Sequence, residues 1–242
     1  MSSRIFQAQS LAVNSEIQLD ERAYHYLARV LRATVGDTLV LFNGEGGEYL
    51  AKISYLDKKK INVFIENFSA RECESPLNLH LAQGISRGEK MDFTIQKAVE
   101  LGVKKITPLF TERCNVKLDD SRSEKRKEHW QSIIISACEQ CGRNQLPEIL
   151  PPISLEKWLT TITSVTGLVL APEAKQKLSD VVIATDKPVV LLIGPEGGLT
   201  AEEIALVEKN NFSAVHLGPR ILRTESAGLA AIAVLQSLVG DF

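Results

Sequence analysis

At Pro76 the hydrophobic rhythm of the chain changes, and that change restricts the fold more than any other feature of the sequence. Beyond it, LNLHLAQG (77 to 84) reads as a strand. Lys90 to Leu101 reads as a helix, with Met91, Ile95, Ala98 and Val99 at helical spacing, and Lys105 to Phe110 as the next strand. A long helix from Glu124 to Cys141, a helix from Leu155 to Thr163, and strands from Gly167 to Ala171 and Pro188 to Ile193 continue the pattern. Alternating β and α predict a parallel sheet covered by helices, because parallel strands need a crossover and a helix supplies it. Thr200-Ala-Glu-Glu203 is a capping box opening a helix over 201 to 210. The last helix carries Ala227, Ala230, Ala231, Val234, Leu235 and Leu238 on one stripe, which the sheet or another subunit must cover.

Before Pro76 the period is two. Ser3 to Phe6, Thr38 to Asn43, Gly47 to Leu56 and Lys60 to Phe68 read as strands, interrupted by one short helix around Glu21 to Leu31. The glycines of Asn43-Gly44-Glu45-Gly46-Gly47 lie between two alternating runs and precede a strand, so they predict a hairpin turn, with no phosphate-binding geometry. Lys58-Lys59-Lys60 reads as a turn tip. The polar stretch from Ser69 to Ser75 marks a boundary, giving a small β-barrel over 1–72 and an α/β domain over 73–242.

The chain has 28 Lys and Arg against 30 Asp and Glu, a net charge of −2. Bulk attraction to nucleic acid is therefore excluded, and any RNA recognition has to be local and shaped. A basic excess appears only between residues 84 and 145. The longest apolar strand-like run, Val189 to Ile193, is far too short to cross a bilayer, so a soluble, cytoplasmic protein with no membrane partner is expected. Four cysteines at irregular spacing imply no disulfide framework. Cys138 and Cys141 form a CxxC with no second pair and read as packing residues, so no metal is expected.

Chemistry concentrates in two loops. VVLLIGPEGGLTAEE is an apolar strand, a turn Gly194-Pro-Glu-Gly-Gly198, and a capped helix. Such a turn lets main-chain groups approach a ligand at the carboxyl edge of an open sheet, or it is simply a tight strand-to-helix turn. It is neither a P-loop nor a dinucleotide fingerprint, which disfavours a Rossmann-type enzyme. The second loop, His216 to Ser226, follows a short strand and precedes the last helix. Thr224 is placed to cap that helix, and Glu225 is either functional or a first-turn carboxylate favoured by the helix dipole.

SRGEKMDFTIQKAVELGV (86 to 103), TPLFTERC (107 to 114), ACEQCGRN (137 to 144), LLIGPEGGLTAEEIA (191 to 205) and LGPRILRTES (217 to 226), with YHYLARVLR (24 to 32), resemble the RsmE family across essentially the whole chain. That family methylates uridine N3 of 16S ribosomal RNA in the small subunit. The resemblance implies an α/β fold, with an N-terminal PUA-like β-barrel joined to a C-terminal trefoil-knotted SPOUT domain, and a homodimer. It implies S-adenosylmethionine held by Ala171, Pro172, Gly194, Glu196, Gly197, Gly198, Leu217, Gly218, Leu222 and Thr224. His216 departs from the aliphatic residue expected there, either as a strand-end change or as a titratable group beside the cofactor.

Uracil N3 must lose its proton before it can attack a methyl group. Arg223 is expected to stabilise the resulting imide anion through its carbonyl oxygens, and Glu225 to accept the proton. Arg4, Arg29, Arg32, Arg87, Arg113 and Arg143 are candidate RNA contacts. Competing readings are another knot-class methyltransferase, acting on a ribose 2'-hydroxyl or on guanine, and a non-catalytic RNA-binding module that binds no S-adenosylmethionine.

Overall fold

The computed structural model describes residues 3–114 and 120–242, with backbone alone for 120–122, and divides into two compact units. Unit one comprises residues up to Glu74 together with Cys138–Leu146; unit two comprises Ser75–Ala137 and Pro147–Phe242.

The first unit is a five-stranded sheet. Its strands are β1 (Ser3–Phe6), β2 (Glu16–Gln18), β3 (Thr38–Phe42), β4 (Glu48–Leu56) and β5 (Ile61–Ser69), in the order β1-β3-β4-β5-β2. Period-two patterning explains the core: Ala51, Ile53, Ile61, Val63 and Ile65 point in with Leu39 and Leu41, against Ala23 and Leu27. The last two come from α1 (Glu21–Tyr24) and the wider π-helical turn that prolongs it over His25–Val30. Asp57 closes the β4–β5 hairpin by accepting from the N–H groups of Lys59 and Lys60 at 2.7 and 2.8 Å, so the lysine run is a turn tip. Gly47 has φ +68°, and a Cβ there would meet the Phe68 ring at 2.4 Å; no other residue fits this turn.

Residues 138 to 146 join this unit through polar ties. Glu139 accepts from Arg22 at 2.8 Å and from the Phe6 N–H at 2.9 Å, and Arg143 pairs with Glu74 at 2.6 Å. Cys138 is fully buried, and burial pushes its thiol up to about 12, which makes it an inert packing residue.

The second unit is an eight-stranded parallel sheet. Its elements are β6 (Leu79–Gly84), α2 (Glu89–Glu100), β7 (Lys105–Phe110), α3 (Asp120–Cys141, whose last four residues lie in the first unit), β8 (Glu148–Ile149), β9 (Ile153–Ser154), α4 (Leu155–Leu159), β10 (Thr166–Leu170), β11 (Gln176–Lys177), β12 (Val189–Ile193), α5 (Ala201–Lys209), β13 (Phe212–His216) and α6 (Thr224–Val239). Strand order is β11-β13-β10-β12-β6-β7-β8, with β9 beside β7. Central β12 is buried at all five positions, as its unbroken apolar run requires. Val190 and Leu192 join Trp158, Val207 and Phe212 in one core, while Ile193 lies beside Gly228 of α6.

Helix α4 is shorter than the sequence predicts. Helix α4 stops at Leu159 because the hydroxyls of Thr160 and Thr161 bond back to the carbonyls of Lys157 and Trp158, both at 2.7 Å. The buried residues of α6 are Thr224, Gly228, Ala231, Ile232, Leu235 and Gln236; Ala227, Ala230 and Val234 are half-buried and Leu238 is exposed. Of the stripe read from sequence, Ala231 and Leu235 are buried within this unit, and the other four residues are left partly or fully exposed. Among the described residues no helix is long and apolar enough to cross a membrane.

Candidate active site

Strands β13, β10 and β12 are neighbours and parallel, so their carboxyl ends finish on one edge of the sheet. Each is followed by a turn: 171–173 after β10, 194–199 after β12 and 217–223 after β13. Together with α5 they enclose a pocket of ≈ 820 Å³. All ten residues expected to hold a cofactor line it, as do Arg223 and Glu225.

The 194–199 turn is fixed from four sides. Gly84, at the end of β6, packs so closely beneath it that a Cβ there would lie 2.5 Å from the nitrogen of Pro195. The Gly194 carbonyl accepts from the Thr224 hydroxyl at 2.6 Å, and the Gly197 carbonyl from Arg113 at 3.1 Å. Glu196 accepts from the Arg87 N–H at 3.0 Å with Lys90 at 3.6 Å. Burial would push Glu196 up, but the N–H groups of Arg87 and of Glu196 itself, with Lys90, outweigh it and hold the carboxyl below its usual value. The capping box closes α5 as expected, Thr200 and Glu203 exchanging bonds of 2.9 and 3.1 Å. Glu203 also accepts from the Glu112 N–H at 2.8 Å, binding the end of β7 to the same corner.

The 217–223 loop is held differently. Among the described residues no hydrogen bond from 217–222 reaches another segment, and Ile221 is 84% exposed. Arg223 is the N-cap of α6 and is exposed; Thr224 is the first residue of the helix, not its cap, and its hydroxyl donates to the Gly194 carbonyl. Glu225 is half-buried, and its Oε2 has no hydrogen-bond partner among the described residues.

The candidate RNA arginines separate. Arg113 and Arg87 belong to the pocket's rim, Arg87 through its backbone bond to Glu196. Arg29 and Arg32 are exposed on the first unit. Arg4 and Arg143 turn inward: Arg4 pairs with Glu48 and Asn144 and stacks on Phe42, and Arg143 is 4% exposed against Glu74. The carboxylates nearby in the fold, invisible to a count of charges, are the reason.

Sequence reading missed Lys90, Arg220 and the inner face of α5. Ala201, Ile204, Ala205 and Glu208 line the pocket at helical spacing, a signal the capped helix already displayed. His216 also lines it. Among the described residues no group of three or more His, Cys, Asp or Glu side chains is placed to hold a metal ion.

A family model described as RNA methyltransferase domain matches residues 73–236, and one described as RNA methyltransferase PUA domain matches 19–66. The ribosomal RNA small subunit methyltransferase E of Buchnera aphidicola (Schizaphis graminum) is 41% identical over 98% of this chain and 97% of its own. The protein of that name from Bacillus subtilis is 30% identical over 87% of this chain and 86% of its own. Among solved structures, the Neisseria gonorrhoeae ribosomal RNA small subunit methyltransferase E bound to S-adenosyl methionine superposes with a TM-score of 0.94 at 41% identity, covering 100% of both chains. A Legionella pneumophila protein solved with bound cofactor SAM gives 0.97 at 42% identity, again covering 100% of both. A parallel-sheet domain with this pocket, matched end to end by such relatives, belongs to the ribosomal RNA small subunit methyltransferase E family.

Proposed function

We propose that the protein transfers a methyl group from S-adenosylmethionine to N3 of a uridine in 16S ribosomal RNA, acting in the cytoplasm on the small ribosomal subunit. The observation that carries this reading is one pocket of ≈ 820 Å³ walled by three main-chain turns, with Arg223 and Glu225 at its edge. Its size suits a nucleoside-sized ligand. Its walls pair apolar side chains, Leu170, Ile193, Leu217 and Leu222, with turn carbonyls and N–H groups suited to an adenine, and its acidic residues suit a cationic methionyl end.

Bound there, S-adenosylmethionine would supply an electrophilic methyl group. The protein's own residues do the rest. Arg223 donates to the uracil carbonyl oxygens and stabilises the imide anion; Glu225, whose Oε2 is unpartnered, takes the N3 proton. Exposed Arg29, Arg32, Arg87 and Arg113 hold the RNA, with the target base out of its stack. In this reading residues 1–72 form a PUA-like barrel that binds RNA, and 73–242 a trefoil-knotted SPOUT domain. A second copy covers the apolar face of α6 at Ala230, Val234 and Leu238. Mass mapping of small-subunit RNA nucleosides, from a strain lacking the gene and from one complemented with it, tests the proposal. Loss and return of 3-methyluridine is expected; a 2'-O-methyl or methylguanine signal instead would overturn it.

A further inference from the structure

Gln83, the penultimate residue of β6, is fully buried, and it does not line the pocket. Its amide nevertheless reaches two of the pocket's three sides. Nε2 donates to the Gly84 carbonyl at 3.0 Å and to the Thr224 hydroxyl at 3.0 Å, with the Gly194 carbonyl at 3.5 Å. Thr224 has one hydroxyl proton, and it goes to the Gly194 carbonyl at 2.6 Å, the shorter contact. The hydroxyl can therefore only accept from Gln83. That order, Gln83 to Thr224 to Gly194, fixes the amide with nitrogen toward the two loops and oxygen away from them. Oε1 is then left buried with no partner among the described residues, near Gly228, where a Cβ would stand 3.6 Å from it.

An unpartnered buried acceptor opposes folding, so this glutamine is not there for stability alone: an apolar side chain of like length would spare that cost. We infer that Gln83 is a positioning residue for the cofactor, setting through the Thr224 hydroxyl the distance between the 194–199 turn and the first turn of α6. It touches neither cofactor nor RNA. By holding the Gly194 carbonyl engaged and the start of α6 in place, it keeps the pocket in its binding shape before the ligand arrives, and a ligand that need not order its own site binds more tightly. The inference rests on the assignment of this pocket to S-adenosylmethionine.

The test measures S-adenosylmethionine affinity by calorimetry and single-turnover methylation, using full-length protein and small subunits. Gln83→Met removes both donors and the idle acceptor at nearly constant volume. Its dissociation constant should rise about tenfold, with the rate at saturating cofactor within about twofold of wild type and the urea midpoint unchanged. Thr224→Val should weaken binding too, and adding Gln83→Met to it should weaken binding no further, because the two act in series. An unchanged constant in Gln83→Met, or full additivity with Thr224→Val, overturns the inference. Ala201→Trp, on an exposed position that lines the pocket, separates this from failure of the pocket assignment. If the wedge abolishes binding while Gln83→Met leaves it untouched, only the role of Gln83 falls. If the wedge has no effect, the pocket assignment falls and the inference with it. Should Gln83→Met not fold, additivity of Gln83→Leu with Thr224→Val decides the same question.

Discussion

The parallel sheet of the second unit has a cavity at each edge, ≈ 820 Å³ where its strands end and ≈ 700 Å³ where they begin. Their sizes are close; their chemistry is not. The carboxyl-edge pocket is walled by glycine turns and by Lys90, Arg113, Arg220, Arg223 and four glutamates. At the amino edge the walls are mostly apolar, Leu150, Pro151, Pro152, Ile162, Pro188 and Trp158 among them, with Asn78, Thr161 and Thr163 as polar members, and the one lysine there, Lys105, is paired with Glu148 at 3.0 Å. His80 lies beneath them, its Nε2 2.7 Å from the Thr107 hydroxyl and its ring edge-on to Trp158. Burial, with Lys105 nearby, pushes its imidazole down to about 4, so it carries no charge near neutrality. Space alone therefore does not make a binding site. Prolines offer no N–H and apolar side chains neither donate nor accept, so polar groups are few at the amino edge, whereas turns after parallel strands present main-chain donors and acceptors together.

The largest expected effect sharpens that contrast. Arg223→Ala should lower the single-turnover methylation rate at saturating cofactor by about 10²–10³, the usual effect of deleting one donor to a developing anion. Thr163→Trp, which fills the amino-edge cavity from an exposed position, should leave the rate at the wild-type value. A comparable loss in both variants would erase the distinction between the two edges.

The next effect belongs to the amino edge. The folded His80 has a depressed pKa, so above about pH 6.5 it is neutral folded or unfolded and costs nothing. As pH falls toward about 4 the unfolded chain takes up a proton that the folded chain refuses. Stability present above pH 6.5 is lost across that window, by about 3 kcal/mol once both states are protonated. His80→Asn should flatten urea midpoints measured between pH 6.5 and 4; an unchanged slope would show His80 charged or solvated.

Gly84 comes third. A methyl group at this position meets main chain, which cannot swing away as a side-chain tip can. Gly84→Ala should cost about 1–3 kcal/mol by overpacking, read as a lower urea midpoint, and should weaken S-adenosylmethionine binding by displacing the 194–199 turn. A variant of wild-type midpoint and affinity would mean that the close packing under Pro195 has slack.

How much of this was legible beforehand follows the same division. The strand, turn and capped helix of 189–209 were readable because each rests on neighbours in sequence: an apolar run, glycines, a Thr and a Glu three residues apart. The inward turn of Arg4 and Arg143 was not, since their carboxylates, Glu48 and Glu74, are 44 and 69 residues away. Local rules favour Thr224 as a cap, yet the helix begins at Thr224 itself, and its hydroxyl serves a carbonyl 30 residues distant. The two-residue strands β8, β9 and β11 carry too few residues to display any period.

The smallest effect concerns Glu196, which separates a fixed wall from a free one at the carboxyl edge. Its carboxylate holds the Arg87 N–H and faces Lys90, and its depressed pKa means that these contacts favour the charged form. Their contribution is present above the ordinary carboxylate range and disappears as pH falls through the lower folded value. Because the group is partly exposed, the effect on folding is small, and the effect on the turn's order is the more sensitive readout. Glu196→Gln should speed amide hydrogen exchange across 194–199 at neutral pH and remove the acid-dependent part of S-adenosylmethionine affinity, while exchange across 217–222 stays fast and unaltered in the free protein. Bound cofactor should slow exchange in 217–222 far more than in 194–199, since only the untethered loop has order left to gain. Equal protection of the two segments on binding would mean that the loop after β13 is already as rigid as its tethered neighbour.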